Sequence, residues 1–207
     1  MRPAGRRVLD VWLLAAGAAL TALTAWLASP GTVSEAERAV FGVVNGWPDV
    51  LRGPFWVFQL LGVLGVPLAV AAGALVARQP RPALALVLLI PLKLLVEKGV
   101  LKALVERQRP GTTIPGAILR DVPSAGPSFP SGHAIIAFGI AVLLVPYLRR
   151  RWQVLVVLLA VLNSLARVHL GAHAPLDVLG GAAAGVAVAA ASNLVVGIAS
   201  PSRSRGG

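Results

Sequence analysis

Residues 129–148 read FPSGHAIIAFGIAVLLVPYL, a Pro/Gly-rich loop end running straight into an unbroken apolar stretch. Ser131 stands where a helix N-cap belongs, so the free amides of the first turn point out of the apolar run. A helix N-terminus of this kind is a ready anion site. Gly132 lets a ligand approach the backbone closely, and His133 brings a group that titrates near neutral pH. Taken alone, the stretch is equally an ordinary serine cap followed by a histidine facing water.

The apolar run belongs to a chain of 207 residues that is 57% hydrophobic and 13% charged, with a mean hydropathy of +0.79. Soluble domains do not have this composition. The expected fold is all-α: a bundle of six transmembrane helices at about 8–28, 55–77, 83–104, 132–148, 152–168 and 175–199, each close to the ~20 residues a bilayer needs. Residues 1–207 then form a single membrane-embedded domain, with no room for a soluble one. The first run follows a basic N-terminus as a signal peptide does, but it is long and no small-residue cleavage site follows it, so it reads as a span. Cysteine is absent, which removes disulfides, thiolate metal sites and a cysteine nucleophile.

The net charge of +11 would suggest nucleic acid in a soluble protein. Here most basic residues lie in short loops, where they set topology, and no nucleic-acid partner is expected. The N-terminal arginines, Arg78 and Arg81, Arg149 to Arg151, and the tail residues Arg203 and Arg205 all fall on one face. By the positive-inside rule that face, with both termini, is cytoplasmic in a multi-pass cell-membrane protein. The first loop is net negative and lies outside. Within it, Ser34-Glu35-Ala36-Glu37 fits a capping box, with Ala36, Val40, Val43 and Val44 along one face of a short interfacial helix. Trp47, Phe55, Trp56 and Phe58 fit an aromatic belt where the second span begins. Gly181 and Gly185 are spaced for close helix packing.

The other two outside segments, from Lys102 to Ser131 and from Arg167 to His173, are basic on the wrong side, which suggests a role beyond topology. The third span also carries Lys93, Glu97, Lys98 and Lys102. Lys93 lies 11 residues before Leu104, roughly 16 Å below that end at 1.5 Å per residue. Charges at such depth face a partner or a watered cavity, and a Lys93–Glu97 pair at i,i+4 accounts for two of them. Lys102 and Arg109, two turns apart, share a face if the helix runs on until Pro110 stops it. Pro175 suits the first turn of the sixth helix, which brings Asp177 within reach of His173. Asp177 is then a dipole-stabilising cap, or it holds the imidazole in one tautomer.

Three groups of residues resemble, in order, the motifs of the type-2 phosphatidate phosphatase superfamily, which includes glucose-6-phosphatase and the vanadium haloperoxidases. They are Lys102-x6-Arg109-Pro110, Pro130-Ser131-Gly132-His133 and Ala166-Arg167-x5-His173-x3-Asp177. One departure is Ala166, where the family usually has serine; tuned affinity is expected from it and not lost activity. His169 falls between motif positions and inherits no role.

The resemblance implies a membrane phosphatase that hydrolyses the terminal phosphate of a lipid phosphate or pyrophosphate on the extracytoplasmic face. His173 would be the nucleophile, forming a phosphohistidine, with Asp177 orienting it and His133 protonating the leaving oxygen. Lys102, Arg109, Ser131, Gly132 and Arg167 would bind the phosphoryl oxygens, where transfer concentrates charge. No cofactor and no metal is implied, since the cations take that part; the partner is a lipid phosphate within the membrane. Phosphotransfer to another acceptor uses the same residues. The rivals are a metal site of His169, His173 and Asp177, which Gly171 and Pro175 oppose, and a non-enzymatic transporter of phosphate lipids. A haloperoxidase is disfavoured by six spans, which point to a substrate arriving through the membrane.

Overall fold

The computed structural model describes residues 3–198, with side chains from residue 7 onward. Arg2, the end of the last expected span at Ala199 and the tail arginines Arg203 and Arg205 lie outside the described residues. The first apolar run is one helix, α1 (Pro3–Ala28). Its threonines do not break it, because Thr21 and Thr24 donate back to the carbonyls of Gly17 and Leu20 at 2.7 and 2.8 Å.

The capping residue of the first loop acts as expected: Ser34 Oγ accepts from the Glu37 amide at 3.3 Å and starts α2 (Glu35–Asn45). The side of α2 turned to the protein carries Glu37, Phe41 and Asn45. Ala36, Val40 and Val43 face outward, and Val44 is half-buried. Phe55 is likewise turned inward, leaving Trp56 as the exposed member of that aromatic group.

The second expected span is not one straight helix. It is α3 (Arg52–Gln59), a 3₁₀ turn at Leu60–Gly62 and α4 (Val66–Val76), the two halves meeting at 67°. Gly62, Gly65 and Pro67 weaken continuous helix at that point. The carbonyls of Phe58 and Gln59, freed by the break, accept from Asn163 Nδ2 at 3.0 Å each.

The third run begins at two prolines suited to a first turn and forms α5 (Pro80–Leu94). Pro91 withdraws an amide from the ladder, and the chain then widens into a π-helical segment, Leu95–Leu101, before the last turn α6 (Lys102–Leu104). The helix therefore does not continue to Arg109. Arg109 instead precedes a separate short helix, α7 (Pro110–Thr113). After a long loop come α8 (Gly132–Leu144), α9 (Arg150–His169) and α10 (Pro175–Val196).

By length and composition, three helices can cross a membrane: Arg7–Ala28, Arg150–His169 and Pro175–Val196. The bent pair Asp49–Gly62 and Val66–Val76 makes a fourth. Six are expected from hydropathy; the difference arises because the π-helical turn carries ionised groups and because α8 with its closing turn at Pro146 is short. Among the described residues there is no strand.

α10 is the centre of the bundle, lying against α1 on one side and α8 on the other. Small residues permit this. A Cβ on Gly17 would stand 2.8 Å from the Ala183 carbonyl, and on Gly181 and Gly185 it would stand 2.4 Å from the carbonyls of Ser131 and Ile135. The pair Gly181 and Gly185 thus does pack helices, and Gly181 seats the residue before α8 begins. Near the other end, Asn193 Nδ2 donates to the buried Asp10 at 3.2 Å, tying α10 to α1.

Candidate active site

The loop between α7 and α8 folds back onto the segment that precedes α7. Gln108 and Pro127 form an isolated antiparallel bridge, the Ser128 amide donates to the Arg107 carbonyl at 2.8 Å, and the Ser131 amide donates to the Asp177 carbonyl at 2.9 Å. The last of these contacts brings the start of α8 to the start of α10. The Phe129–Pro130 peptide is cis.

His173 is placed by the turn after α9. Gly171 takes φ +80°, a left-handed conformation, and a Cβ there would meet the Ile118 carbonyl at 2.4 Å. The amides of Ala172 and His173 both return to the Arg167 carbonyl, at 3.0 and 3.2 Å. Two residues absent from the sequence-level site brace this turn. Arg120 donates to the His169 carbonyl at 2.6 Å, and Asn45 donates to the carbonyls of Ile118 and His169 at 2.8 and 3.0 Å.

Six of the eight expected site residues line one cavity of about 290 Å³: Lys102, Arg109, Gly132, His133, Arg167 and His173. Ser131 and Asp177 are fully buried just behind its wall. Ser131 precedes α8 as the cap position requires, yet its hydroxyl caps nothing and has no partner among the described residues. An orphan buried hydroxyl at a helix start is a donor available to a ligand.

The cations are held in different ways. Arg109 Nη1 donates to the Ala172 carbonyl at 3.0 Å, beside His173. Burial pulls its guanidinium below the ordinary arginine value, opposed by Asp177 and Glu97. Arg167 Nη1 is bonded to Gln59 Oε1, while its Nε has no partner. Lys102 donates to Glu97 at 2.6 Å, and Lys93 pairs with the same carboxylate from one turn below. The expected Lys93–Glu97 pair therefore exists, but as part of a triad. The π-helical turn permits it, since its i to i+5 spacing faces Lys102 towards Glu97. The carboxylate rests against Gly132, where a Cβ would lie 2.7 Å from both its oxygens.

Asp177 Oδ2 accepts from the Ala174 amide at 2.8 Å and lies 3.6 Å from His173 Nδ1. That is an ion-pair separation, beyond a direct hydrogen bond. Ser128 fills the gap, donating to Asp177 Oδ2 at 2.5 Å and standing 3.3 Å from His173 Nδ1. With its one proton given to the carboxylate, Ser128 accepts from Nδ1–H, which leaves the Nε2 lone pair free. Asp177 thus caps α10 through the Ala174 amide and, by way of Ser128, faces His173 Nδ1. Burial, reinforced by Arg167 and Arg109 against the pull of Asp177, lowers His173 to about 4. Its imidazole is neutral at physiological pH.

His169 takes no part. Its Nδ1 meets the Val44 carbonyl at 3.2 Å and its ring lies on Phe55, centroids 4.9 Å apart, so it does not converge with His173 and Asp177. Besides Ser128, sequence reasoning missed the break at Gly62, Val63 and Leu64, which forms part of the cavity wall. A Cβ on Gly62 would stand 2.6 Å from His133 Cβ and 2.7 Å from its Cα. Gly62→Ala must therefore push back the α8 backbone at His133, and a loss of about 10²-fold in kcat is expected from a shift approaching 1 Å. Turnover of that variant at the wild-type rate would show that His133 tolerates displacement.

This combination of features has counterparts. Over 61 residues the chain is 44% identical to a lipid A 4'-phosphatase of Bacteroides thetaiotaomicron, a match covering 29% of this chain and 27% of that relative. The chain thus spans about a quarter of the length of that curated relative. The crystal structure of Aquifex aeolicus LpxE superposes with a TM-score of 0.68 at 26% identity, covering 74% of this chain and 92% of that one. That of the first transmembrane PAP2 type phosphatidylglycerolphosphate phosphatase from Bacillus subtilis superposes at 0.65 and 24% identity, covering 93% and 94%. The fold is shared with both. The PAP2 superfamily model matches residues 81–199, which hold every one of the three motif groups and more than half of the sequence, so the chain belongs to the PAP2 superfamily.

Proposed function

We propose that this chain is an integral membrane phosphatase that releases the terminal phosphate of a lipid phosphate or lipid pyrophosphate. His173 Nε2 attacks phosphorus, and the bond to the leaving oxygen breaks as His133 gives that oxygen a proton. A phosphohistidine results. A water then attacks the same phosphorus while His133 takes its proton, and inorganic phosphate departs with His173 neutral again. Lys102, Arg109 and Arg167 hold the equatorial oxygens, assisted by the Ser131 hydroxyl and the amides that open α8. Those cations take the part a metal plays in other phosphoryl-transfer sites.

The observation that carries this reading is that two histidines, from α8 and from the turn before α10, line one cationic cavity. One of them has its far nitrogen closed off by Ser128 and Asp177. We place the chain in the membrane as a single domain with six spans, counting the bent second segment, α5 and α8 as spans. The basic loops would face the cytoplasm and the cavity the outside, so that headgroups enter from the outer leaflet.

Phosphate release from a detergent-solubilised panel tests the proposal: phosphatidate, phosphatidylglycerophosphate, a lipid A phosphate and a polyprenyl pyrophosphate. At least one member should be hydrolysed, with activity unchanged by EDTA and blocked by vanadate. Release abolished by EDTA and restored by a divalent ion would overturn the metal-free mechanism. Binding without release from any member would point to a transporter.

A further inference from the structure

Glu37 on α2 and Arg107 in the loop after α6 have no part in the mechanism above, yet both are buried, with Arg107 wholly so. Taking two charges out of water is costly unless they are well paired, so their placement calls for a reason. Arg107 Nη2 donates to Glu37 Oε2 at 2.6 Å, while Glu37 Oε1 accepts from the Leu176 amide at 2.9 Å, in the first turn of α10. The other arm of the guanidinium, Nη1, stands 3.6 Å from Asp177 Oδ1. Neither of those two atoms has a hydrogen-bond partner among the described residues.

Asp177 is therefore shared evenly. Its Oδ1 faces Arg107 at 3.6 Å, and its Oδ2 faces His173 at the same 3.6 Å. One neighbour is a permanent cation, and the other carries charge only when protonated or phosphorylated. The loop that bears Arg107 also supplies, through its carbonyl, the acceptor for the Ser128 amide, and Ser128 bridges Asp177 and His173. Packing alone does not require an arginine aimed at the free oxygen of that aspartate.

We propose that Arg107, anchored by Glu37, is a positioning residue that fixes Asp177 through its Oδ1 and tempers how strongly that carboxylate attracts a charge on His173. The inference rests on His173 being the nucleophile. The outer-loop helix α2 thereby becomes part of the enzyme's working machinery.

The groups facing His173 are Asp177 from α10, Ser128 and Arg109 from the loops, Arg167 from α9 and His133 from α8; Lys93, Lys102 and Glu97 share the cavity. Arg107 acts on His173 only through Asp177, and its own charge is opposed by Glu37. Removing the arginine charge with Arg107→Met lets an imidazolium form more readily, so His173 titrates at higher pH. Removing the opposing carboxylate with Glu37→Gln, which keeps an acceptor for the Leu176 amide, moves it the other way.

The test is steady-state kinetics of the full-length protein in detergent from pH 2.5 to 9, on whichever lipid phosphate the wild type hydrolyses. Arg107→Met is expected to lower kcat about 10²-fold with KM within about twofold. Its acid limb should move up by about one unit. Glu37→Gln is expected to shift that limb by a smaller step to lower pH. Opposite shifts support the inference. Limbs that stay in place, or that move together, overturn it as a purely structural pair would. If Arg107→Met does not fold, the direction of the Glu37→Gln limb decides alone. A wild type that releases phosphate from no lipid is a different signature; it brings down the phosphatase reading and this inference with it.

Discussion

Replacing His173 with alanine is expected to lower phosphate release by about 10⁴-fold or more, the scale seen when a nucleophile is removed from a preorganised site. The fold should survive. The imidazole makes one hydrogen-bond contact, with Ser128, whereas the backbone bond from its amide to the Arg167 carbonyl does not involve the side chain. The cost is that of a small buried cavity, about 1–2 kcal/mol. Two measurements check this: phosphate release, and trapping of radiolabelled enzyme under alkaline conditions where a phosphohistidine persists. The wild type should retain label and the variant none. A variant that keeps its label would move the nucleophile elsewhere.

Arg167→Lys carries the second-largest expected effect, a loss of about 10³-fold in kcat/KM, or about 4 kcal/mol of transition-state stabilisation. The reason is geometric. One arm of Arg167 is already committed to Gln59 at the end of α3, and in the proposed mechanism the rest of its guanidinium would serve a phosphoryl oxygen. A guanidinium does both in one plane, while an ammonium on a flexible stem satisfies one partner at a time. Titrating vanadate against the purified variant separates binding from chemistry: affinity should fall together with kcat/KM. Unchanged vanadate affinity would place Arg167 outside the phosphate cage.

Much of the site could be read from residue order, because spacing along a helix fixes which way a side chain points. Ser131, Gly132 and His133 announce a helix start, and Pro175 with Asp177 announces another; the structure brings both starts together. What the sequence conceals depends on contacts between distant segments. Ser128 is one serine in a loop of small residues, and its value comes from a fold-back that no local pattern encodes. Glu37 and Arg107 meet across 70 positions. The bend at Gly62 to Pro67 did leave a signal, glycine and proline inside an apolar run, which hydropathy averages away.

The outward-facing valines of α2 illustrate a further limit. In water an apolar stripe marks the buried face, whereas beside lipid it marks either face equally well. On α2 it is the line of Glu37, Phe41 and Asn45, two of its three members polar, that finds the protein. Charged residues were the better guide throughout, since an ionised group at depth has few places to go.

The π-helical segment Leu95–Leu101 can be viewed as a phase adjuster in the third helix. An α-helix advances about 100° per residue, so closing the wide turn by one residue would swing everything beyond it by that angle. Lys102 would leave Glu97 and the cavity, and the segment leading to Arg107 and Arg109 would set off in another direction. The third helix thus meshes with the rest of the molecule through one irregular turn, whose length is as much a specification of the enzyme as any side chain in it.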